Sequence, residues 1–536
     1  MPETRVPPMP FPIPTPNPDH FGLESAWPPA IGPADLGAPG RVEGEMADLI
    51  VLGEIPKEVD GTFYRMMVDP FYPLMPGNPP VEGDGNISAF RIHDGKVDLK
   101  IRYVDTERLR LERAANKRLF GLYRNPFTHH PCVRAAVDST ANTNLVYWGG
   151  HVLALKEGGL PYAVDPNTLA TRTYDPFQSP GKTFSAHPKI DPFSDELVVF
   201  GYEAKELGSD DVVTYHLTKD GKIKDIQWNR TPWPAMIHDC AITTNCIILF
   251  MWPFKSDVEH MKQRGQHWKW ADDKNVTFQV IPRRADTVPA GWESGETRSY
   301  QWSRNAFLLH SAAAWEDDSG KLYIETSRVL DTNLFPAWGS ENSPPFRMDP
   351  QCDFVRWELD TSKPTNSTIP DPVVVLPLPS EFPRIDERYM GRKYNTIFLP
   401  VAVPDLPENG MPMSISLTGL AKVDKRTGTT EFFRPGTKCI VEEPVFIPRS
   451  KDSPEGDGWV LCMVQRLEQR KSDLVVLDSR EFTKPKAIIR MPLYLRGQIH
   501  GNWVESQDIE GGLQPLARVP EPTKVSNRGA LEPQEY

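Results

Sequence analysis

The stretch FLLHSAAAWEDDSGKLYIETSRV, from Phe307 to Val329, decides the fold class. Two runs of apolar, aromatic and β-branched residues flank the segment DDSGK, whose Asp, Ser and Gly residues favour a tight turn. The stretch therefore predicts a β-hairpin. It also places a histidine, His310, just ahead of the small residues that open the first strand.

Comparable runs recur along the chain, joined by turns such as HDGK, KDGK and KRTGT. The clearest are ISAFRIHDGKVDLKIRYV (87–104), NLVYWGGHVLALKE (144–157), DELVVFGYE (195–203), GWVLCMVQR (458–466) and SDLVVLDS (472–479). Helical periodicity is confined to Thr106–Gly121 and Ser256–Trp270, and the 55 prolines exclude long helices almost everywhere. The chain is predicted to be all-β.

Many short antiparallel strands need an architecture that hides their edges, and a large closed β structure does so, most economically a β-propeller. No internal repeat and no interdomain linker is visible, so we expect one domain over residues 41–505. Residues 1–40 form a Pro-rich N-terminal extension, and residues 506–536 are expected to be a polar C-terminal tail at the surface.

Composition excludes several classes of function. The net charge of −12 and the lack of a basic cluster argue against a nucleic-acid partner. The longest apolar run, Cys246–Phe254, is about half the length that spans a bilayer, so no stable membrane insertion is expected. With no signal-peptide pattern and no CxxC pair among the six cysteines, the sequence indicates a cytoplasmic protein with reduced thiols.

Four of the twelve histidines have small or apolar neighbours at the edge of a strand-like run: His187, His238, His310 and His500. Any one of them alone is explained by a core imidazole bonded to a backbone carbonyl. Their separations are too wide for a local zinc-finger or HExxH site but suit ligands contributed by different blades. Four imidazoles without a carboxylate ligand would favour Fe(II), Zn or Cu over Mg or Ca.

The segments around these histidines, AHPKIDP, IHDCAIT, LLHSAAAWE and IHGNWV, together resemble the carotenoid cleavage oxygenase family from about residue 40 to 505. The resemblance implies a seven-bladed β-propeller with a helical and loop dome over its iron-bearing face. It implies one non-haem Fe²⁺ held by the four histidines. The implied reaction is cleavage of a carbon–carbon double bond by O2, which gives two carbonyl products.

The resemblance also supplies three glutamates that orient the imidazoles: Glu157 in LALKEGG, Glu381 in SEFPRID and Glu443 in EEPVFIP. It implies that they pair with His187, His310 and His500, in that order. His238 is then left without a glutamate.

Two acidic neighbours of these residues are expected to do other work. Asp239, beside His238, is expected to cap backbone groups. Glu442, beside Glu443, is expected to be a solvated strand residue.

A threonine methyl that restricts where O2 can bind is a further expectation from the resemblance. Thr143, in STANTNLVYWGG, falls at that place. An ordinary threonine at a loop end is the alternative.

The motif LFGLYRNPFT (119–128) and the lysine before Glu157 resemble the lignostilbene and resveratrol dioxygenase branch, in its fungal form. Tyr123 and Lys156 match that branch's phenol-binding pair. A lysine beside the 4-hydroxyl of a stilbene stabilises the phenolate, which pushes electron density onto the central double bond. The expected substrates are therefore a small phenolic stilbene and O2, and the expected products are two aromatic aldehydes.

Several alternatives stay open. Lys156 could be a surface lysine, and the chain could cleave a carotenoid or apocarotenoid polyene, act as an isomerase, or be a non-catalytic scaffold. The aromatic wall of the pocket is not placed by the sequence: Phe71 and Phe90 lie near the expected region, and Val81 stands where an aromatic residue is expected.

Overall fold

The computed structural model describes residues 40–79, 81–347, 350–403 and 417–517. These residues form seven sheets of four to six strands, which we call blades I to VII, and one two-stranded sheet. Nearly all strand pairs are antiparallel, as the hairpin patterns predict. The expected N-terminal extension lies outside the described residues except for Gly40.

The strands of the first four blades lie within residues 44–301, except for Ser367–Thr368 and Gln498–Glu505. Blade I consists of Gly44–Met46, Gly61–Val68, Gly85–His93, Lys96–Tyr103 and Gln498–Glu505. Blade II consists of Asn144–Trp148, His151–Leu155, Tyr162–Val164 and Thr171–Tyr174. Blade III consists of Lys189–Asp191, Glu196–Tyr202, Asp211–Thr218 and Ile223–Arg230. Blade IV consists of Cys240–Ile242, Cys246–Met251, Thr277–Pro282, Arg298–Gln301 and Ser367–Thr368.

The remaining three blades complete the ring. Blade V consists of Ser311–Glu316, Lys321–Leu330, Gln351–Asp360 and Val373–Leu376. Blade VI consists of Arg384–Ile385, Thr396–Val401, Gly419–Asp424 and Thr429–Phe433. Blade VII consists of Val51–Gly53, Cys439–Val441, Val445–Pro448, Gly458–Arg466, Lys471–Asp478 and Pro485–Arg490.

One strand of each blade contacts its counterpart in a neighbouring blade, and these seven inner strands surround the centre of the propeller. The ring closes where strands from the first and the last described parts of the chain pair. Gln498–Glu505 pairs with Gly61–Val68, and Val51–Gly53 pairs with Pro485–Arg490. This pairing removes the free edges that an open sheet would expose. The prediction of a seven-bladed β-propeller is confirmed.

Between blades, apolar side chains of facing sheets pack together. The predicted hairpin forms as Ser311–Glu316 and Lys321–Leu330. Leu322 and Ile324 from it are buried with Phe278 of blade IV. Burying a large apolar side chain contributes about 1.5–3 kcal/mol, so each blade depends on its neighbours for stability.

Both predicted helical segments are shorter than their patterns indicate. The first is a helix over Glu107–Ala115, which Thr106 caps by accepting from the Leu109 N–H. It ends because Asn116 adopts a left-handed conformation with φ of 49°. The prediction for Ser256–Trp270 is largely wrong, since only Val258–Lys262 is helical and Trp268–Trp270 instead pairs with Phe254–Ser256 as a two-stranded sheet.

The long connection between Lys96–Tyr103 and Asn144–Trp148 holds the motif 119–128. The Glu112 carboxylate, on the first helix, accepts from the backbone N–H groups of Leu119 and Phe120 at 2.8 and 3.0 Å. The side-chain oxygen Oδ1 of Asn78 accepts from the Tyr123 N–H at 2.7 Å. Gly121 lies so close to Thr128 that a Cβ atom would clash with it. Tyr123 is therefore held by backbone and side-chain contacts on both sides.

The described part of the C-terminal tail, residues 506–517, packs on the propeller, whereas the sequence predicts a surface tail. Ile509 and Leu516 are buried in the cluster shared by blades I and II. Arg91 reaches the carbonyl group of Gln514. Among the described residues, no helix is long and apolar enough to cross a membrane.

Candidate metal centre

Four histidine rings meet at the centre of the propeller: His187, His238, His310 and His500. One nitrogen of each lies within 4.8 Å of those of the others, and the ring centroids in contact are 4.6–5.1 Å apart. The structure thus brings together all four predicted ligands.

Each histidine comes from a different blade, at or near an inner strand. His187 precedes Lys189–Asp191 of blade III, and His238 precedes Cys240–Ile242 of blade IV. His310 immediately precedes blade V's Ser311–Glu316, while His500 lies within Gln498–Glu505 of blade I. This placement explains why ligands so distant in sequence are neighbours in space.

The other three blades supply the glutamates. Glu381 belongs to the entry into blade VI, and its carboxylate is 2.5 Å from His310 Nδ1. Glu443 lies between two strands of blade VII, 3.0 Å from His500 Nδ1. Both pairs join adjacent blades and agree with the expected pairing. A carboxylate on Nδ1 leaves Nε2 of the same ring free to bind a cation.

The third expected pair is wrong. Glu157 of blade II lies 2.5 Å from Nδ1 of His238, not beside the Nδ1 atom of His187. This pair skips blade III, and Tyr202 of that blade donates a hydrogen bond to the other oxygen of Glu157. Among the described residues, His187 is therefore the ligand without a glutamate, and His238 has one.

Burial and the contacts between histidines and carboxylates determine which groups of the site are charged. Burial, together with the other imidazoles, lowers the pKa of His187 well below its usual value, and burial lowers the pKa of His500 to about 4. Although burial raises the pKa of Glu443, His500 and Arg384 lower it further, to about 2. His187 and His500 are thus neutral imidazoles at neutral pH, the form that binds metals.

The donor atoms fit a metal ion. The Nε2 atoms of His187 and His500 are buried and have no hydrogen-bond partner among the described residues. The Nε2 atoms of His238 and His310 are 3.1 Å apart. Two nitrogen ligands about 2.1 Å from one ion are separated by about 3 Å when they subtend a right angle. Four converging imidazoles suit a borderline divalent transition metal.

The expectation for Asp239 is confirmed, and the one for Glu442 is wrong. Asp239 accepts from the backbone N–H groups of Cys240 and Ser311, both at 2.7 Å. Glu442 is buried rather than solvated, because its carboxylate forms an ion pair with the buried guanidinium of Arg65 at 2.6 Å.

Lys156 is 3% exposed, so the alternative of a surface lysine is wrong. Its Nζ lies 5.2 Å from the centre of the Tyr123 ring and 3.7 Å from the Glu82 carboxylate. The ammonium group has no hydrogen-bond partner within the described chain. Because a buried donor without a hydrogen bond is costly, this group is suited to receive an acceptor from a ligand.

Aromatic residues connect Tyr123 to the histidines. Trp338 lies 5.7 Å from the Tyr123 ring and stacks on Phe335 at 4.6 Å. At the other end, Trp252 lies 5.3 Å from His238. Phe307 connects the two ends, 6.2 Å from Phe335 and 5.5 Å from Trp252. We call these residues the aromatic cluster.

The residues that the sequence suggested for the aromatic wall of the pocket lie elsewhere. Phe71 packs under Arg113, at 4.4 Å, and Phe90 stacks on Phe63 inside blade I. Val81 is 40% exposed. Neither phenylalanine belongs to the aromatic cluster, whose members Phe335 and Trp338 are distant from both in sequence.

Thr143 is half-buried just ahead of the first strand of blade II. Its hydroxyl donates to the Asn142 side chain at 3.1 Å, and its N–H donates to the Leu155 carbonyl at 2.9 Å. Its expected influence on O2 stays a prediction.

A cavity of about 570 Å³ opens beside His187, His310 and His500. We call it the polar cavity because Lys189, Asp239, Arg384 and Glu443 line it too. Neither Tyr123 nor Lys156 is among its lining residues.

Comparison with known proteins agrees with this geometry. A family profile described as retinal pigment epithelial membrane protein matches residues 37–505. The chain belongs to this family, the carotenoid oxygenases. It is 53% identical to resveratrol cleavage oxygenase 1 of Botryotinia fuckeliana, over 99% of this chain and 96% of that protein.

Two further relatives of this chain come from bacteria. Isoeugenol monooxygenase of Pseudomonas putida is 34% identical, with 87% of this chain and 96% of that protein covered. The crystal structure of Pseudomonas brassicacearum lignostilbene dioxygenase superposes with a TM-score of 0.82 at 34% identity, covering 89% of this chain and 99% of that one.

Sequence reasoning missed three neighbours of the ligands: Tyr202, Arg124 and Phe382. Phe382 stacks on His310 at 4.9 Å. Arg124 and Phe382 directly follow Tyr123 and Glu381, so each was adjacent to a predicted residue. For Tyr202, at the end of an ordinary buried strand, the sequence gives no such signal.

Proposed function

We propose that this family member is an Fe(II)-dependent dioxygenase that cleaves the central double bond of 4-hydroxystilbenes such as resveratrol, giving two aromatic aldehydes. The observation that carries the proposal is the buried ammonium group of Lys156, which has no hydrogen-bond partner among the described residues and lies against Tyr123. The names of the stilbene-cleaving relatives support the same reaction.

His187, His238, His310 and His500 would hold the iron through Nε2, with Glu157, Glu381 and Glu443 orienting three of the rings. When bound there, Fe(II) would supply the redox chemistry that activates O2. Phe382 stacks on the ring of His310 and limits the positions that this ring can take.

Lys156 and Tyr123 would hold and activate the phenol. The ammonium group donates to the 4-hydroxyl oxygen and stabilises negative charge on it, which enriches the conjugated double bond in electrons. Burial raises the pKa of Tyr123 well above its usual value, so its hydroxyl keeps its proton and can donate as well. Because Lys156 precedes Glu157 in the chain, the phenol would be held at a fixed distance from the metal.

The reaction balances without another reductant. The carbon–carbon double bond and the O2 bond break, and two carbonyl groups form.

Thr143 is proposed to limit where O2 approaches. We also propose a reducing, cytoplasmic location, since none of the six cysteines forms a disulfide.

A polyene substrate is less well supported, because it offers no phenol to the buried ammonium group. The test is product identification. Protein loaded anaerobically with Fe(II) is given resveratrol or an apocarotenal in air, and the products are identified by mass spectrometry. We expect the two hydroxybenzaldehydes from resveratrol, whereas turnover of the polyene alone would refute the proposal.

A further inference from the structure

The three glutamates differ in the groups that hold them besides their histidines. Glu443 accepts from the Gly501 N–H at 2.8 Å and from the Gln498 side chain at 3.4 Å, and Glu381 accepts from the Phe382 N–H with the oxygen that also contacts His310. The second oxygen of Glu157 instead accepts from the hydroxyl of Tyr202, the last residue of Glu196–Tyr202. The position of Glu157 therefore depends on a side chain that a substitution can remove.

Arg124 fixes the direction of this hydrogen bond. Its Nη1 lies 2.7 Å from the Tyr202 oxygen. A guanidinium group can only donate, so the tyrosine must accept from Arg124 and direct its single proton to Glu157. Burial and the Glu157 carboxylate raise the pKa of Tyr202 well above its usual value, so the proton stays on the hydroxyl.

Arg124 is itself held in place. Its guanidinium pairs with the buried carboxylate of Glu203. His267 lies 3.0 Å from that carboxylate through Nε2 and 3.0 Å from the Arg124 carbonyl through Nδ1. All three residues are buried.

We propose that Tyr202 and Arg124 are positioning residues that set the orientation of the His238 ring through Glu157. We call His238, Glu157, Tyr202 and Arg124 the relay. Since Arg124 follows Tyr123 and Glu157 follows Lys156, the relay also ties the phenol-binding pair to the metal centre. This inference rests on the proposed metal site, but not on the identity of the substrate.

The test is metal affinity rather than turnover. Fe(II) is titrated anaerobically into metal-free full-length protein and into the variants Tyr202→Phe and Tyr215→Phe. Residues that orient a metal's histidine ligand typically change metal affinity by about 10–100-fold, and we expect a loss of that size for Tyr202→Phe. Tyr215→Phe is the matched control, since Tyr215 is a buried tyrosine of the same blade that packs on Phe184 in another cluster. We expect its affinity to match that of the wild type.

A double-mutant cycle separates positioning from general destabilisation. Once Glu157→Gln has disrupted the relay, adding Tyr202→Phe should weaken Fe(II) binding little further. In the Glu443→Gln background, Tyr202→Phe should keep its full effect. If Tyr202→Phe acted by loosening the fold, it would weaken binding equally in both backgrounds, and the inference would be wrong.

The outcomes distinguish this inference from the proposed function. If the wild type binds Fe(II) and Tyr202→Phe binds it equally well, only the relay fails. If the wild type does not bind Fe(II), both the metal site and the relay fail.

Discussion

The two sides of the histidine cluster have opposite surroundings. His187, His310 and His500 border the polar cavity, where Lys189 pairs with Asp239 at 2.8 Å. His238 instead lies beside Trp252, at one end of the aromatic cluster whose other end is Tyr123. The candidate metal site therefore borders both a polar and an aromatic environment, and an aromatic substrate is expected on the His238 side.

The largest expected effect is the same on both sides of the histidine cluster, because all four histidines are proposed to bind the same ion. His238→Ala, on the aromatic side, and His500→Ala, beside the polar cavity, should each lose stoichiometric Fe(II) binding and detectable turnover. Iron analysis after anaerobic loading measures the first effect, and aldehyde formation measures the second. A variant that keeps full iron and activity would remove that histidine from the ligand set.

The next effect should be confined to the aromatic side. Lys156→Met removes the ammonium group but keeps a long apolar side chain, so kcat/KM for a 4-hydroxystilbene should fall by about 10²–10⁴-fold. Iron content should not change, because Lys156 is not a ligand. Steady-state kinetics with iron analysis test this, and unchanged kcat/KM would place the phenol elsewhere.

A smaller effect is expected from the aromatic cluster itself. Trp338→Leu should raise KM for the stilbene by up to about tenfold, since aromatic pairs contribute about 0.5–1.5 kcal/mol. Met390→Leu, in the lining of the polar cavity, is the matched control and should leave KM unchanged. Equal effects of the two substitutions would contradict a substrate position on the aromatic side.

The smallest expected effect is on stability rather than turnover. Burial raises the pKa of Glu203, but His267 and Arg124 lower it further, to about 2. This carboxylate therefore stabilises the fold fully above its unfolded pKa of about 4.3, and the contribution is lost as pH falls towards 2. The free energy of unfolding should be lower in Glu203→Gln than in the wild type near neutral pH, and the two should converge in acid. A difference independent of pH would contradict this account.

The sequence predicted the ligands better than their partners. Each histidine motif precedes or contains an inner strand, so the same short segments indicated both the strands and the predicted ligands. The pairs of Glu381 and Glu443 were expected from the family resemblance, and both join adjacent blades. The expected pair of Glu157 was wrong, because its carboxylate skips blade III and contacts His238. The contacts with His238 and Tyr202 appear only in the folded structure.

Burial was the other property that the sequence did not give. Lys156 and Glu442 lie in segments that also suit solvated strands, yet both are buried beside charges that are remote in sequence. The pattern Ser256–Trp270 suits a helix, but pairing with Phe254–Ser256 makes its end a strand. The count of seven blades came from the family resemblance, since the chain shows no internal repeat.

The central claim is that the phenol of the substrate is held by Lys156 while the double bond lies at the metal. It is tested most directly by comparing turnover of a 4-hydroxystilbene with that of its 4-methoxy analogue, using iron-loaded wild-type protein. The two molecules share the double bond and nearly the same shape, but only the first can become a phenolate. We predict aldehydes from the hydroxystilbene and at least about 100-fold lower kcat/KM for the methoxy analogue. Equal turnover of both would contradict the account.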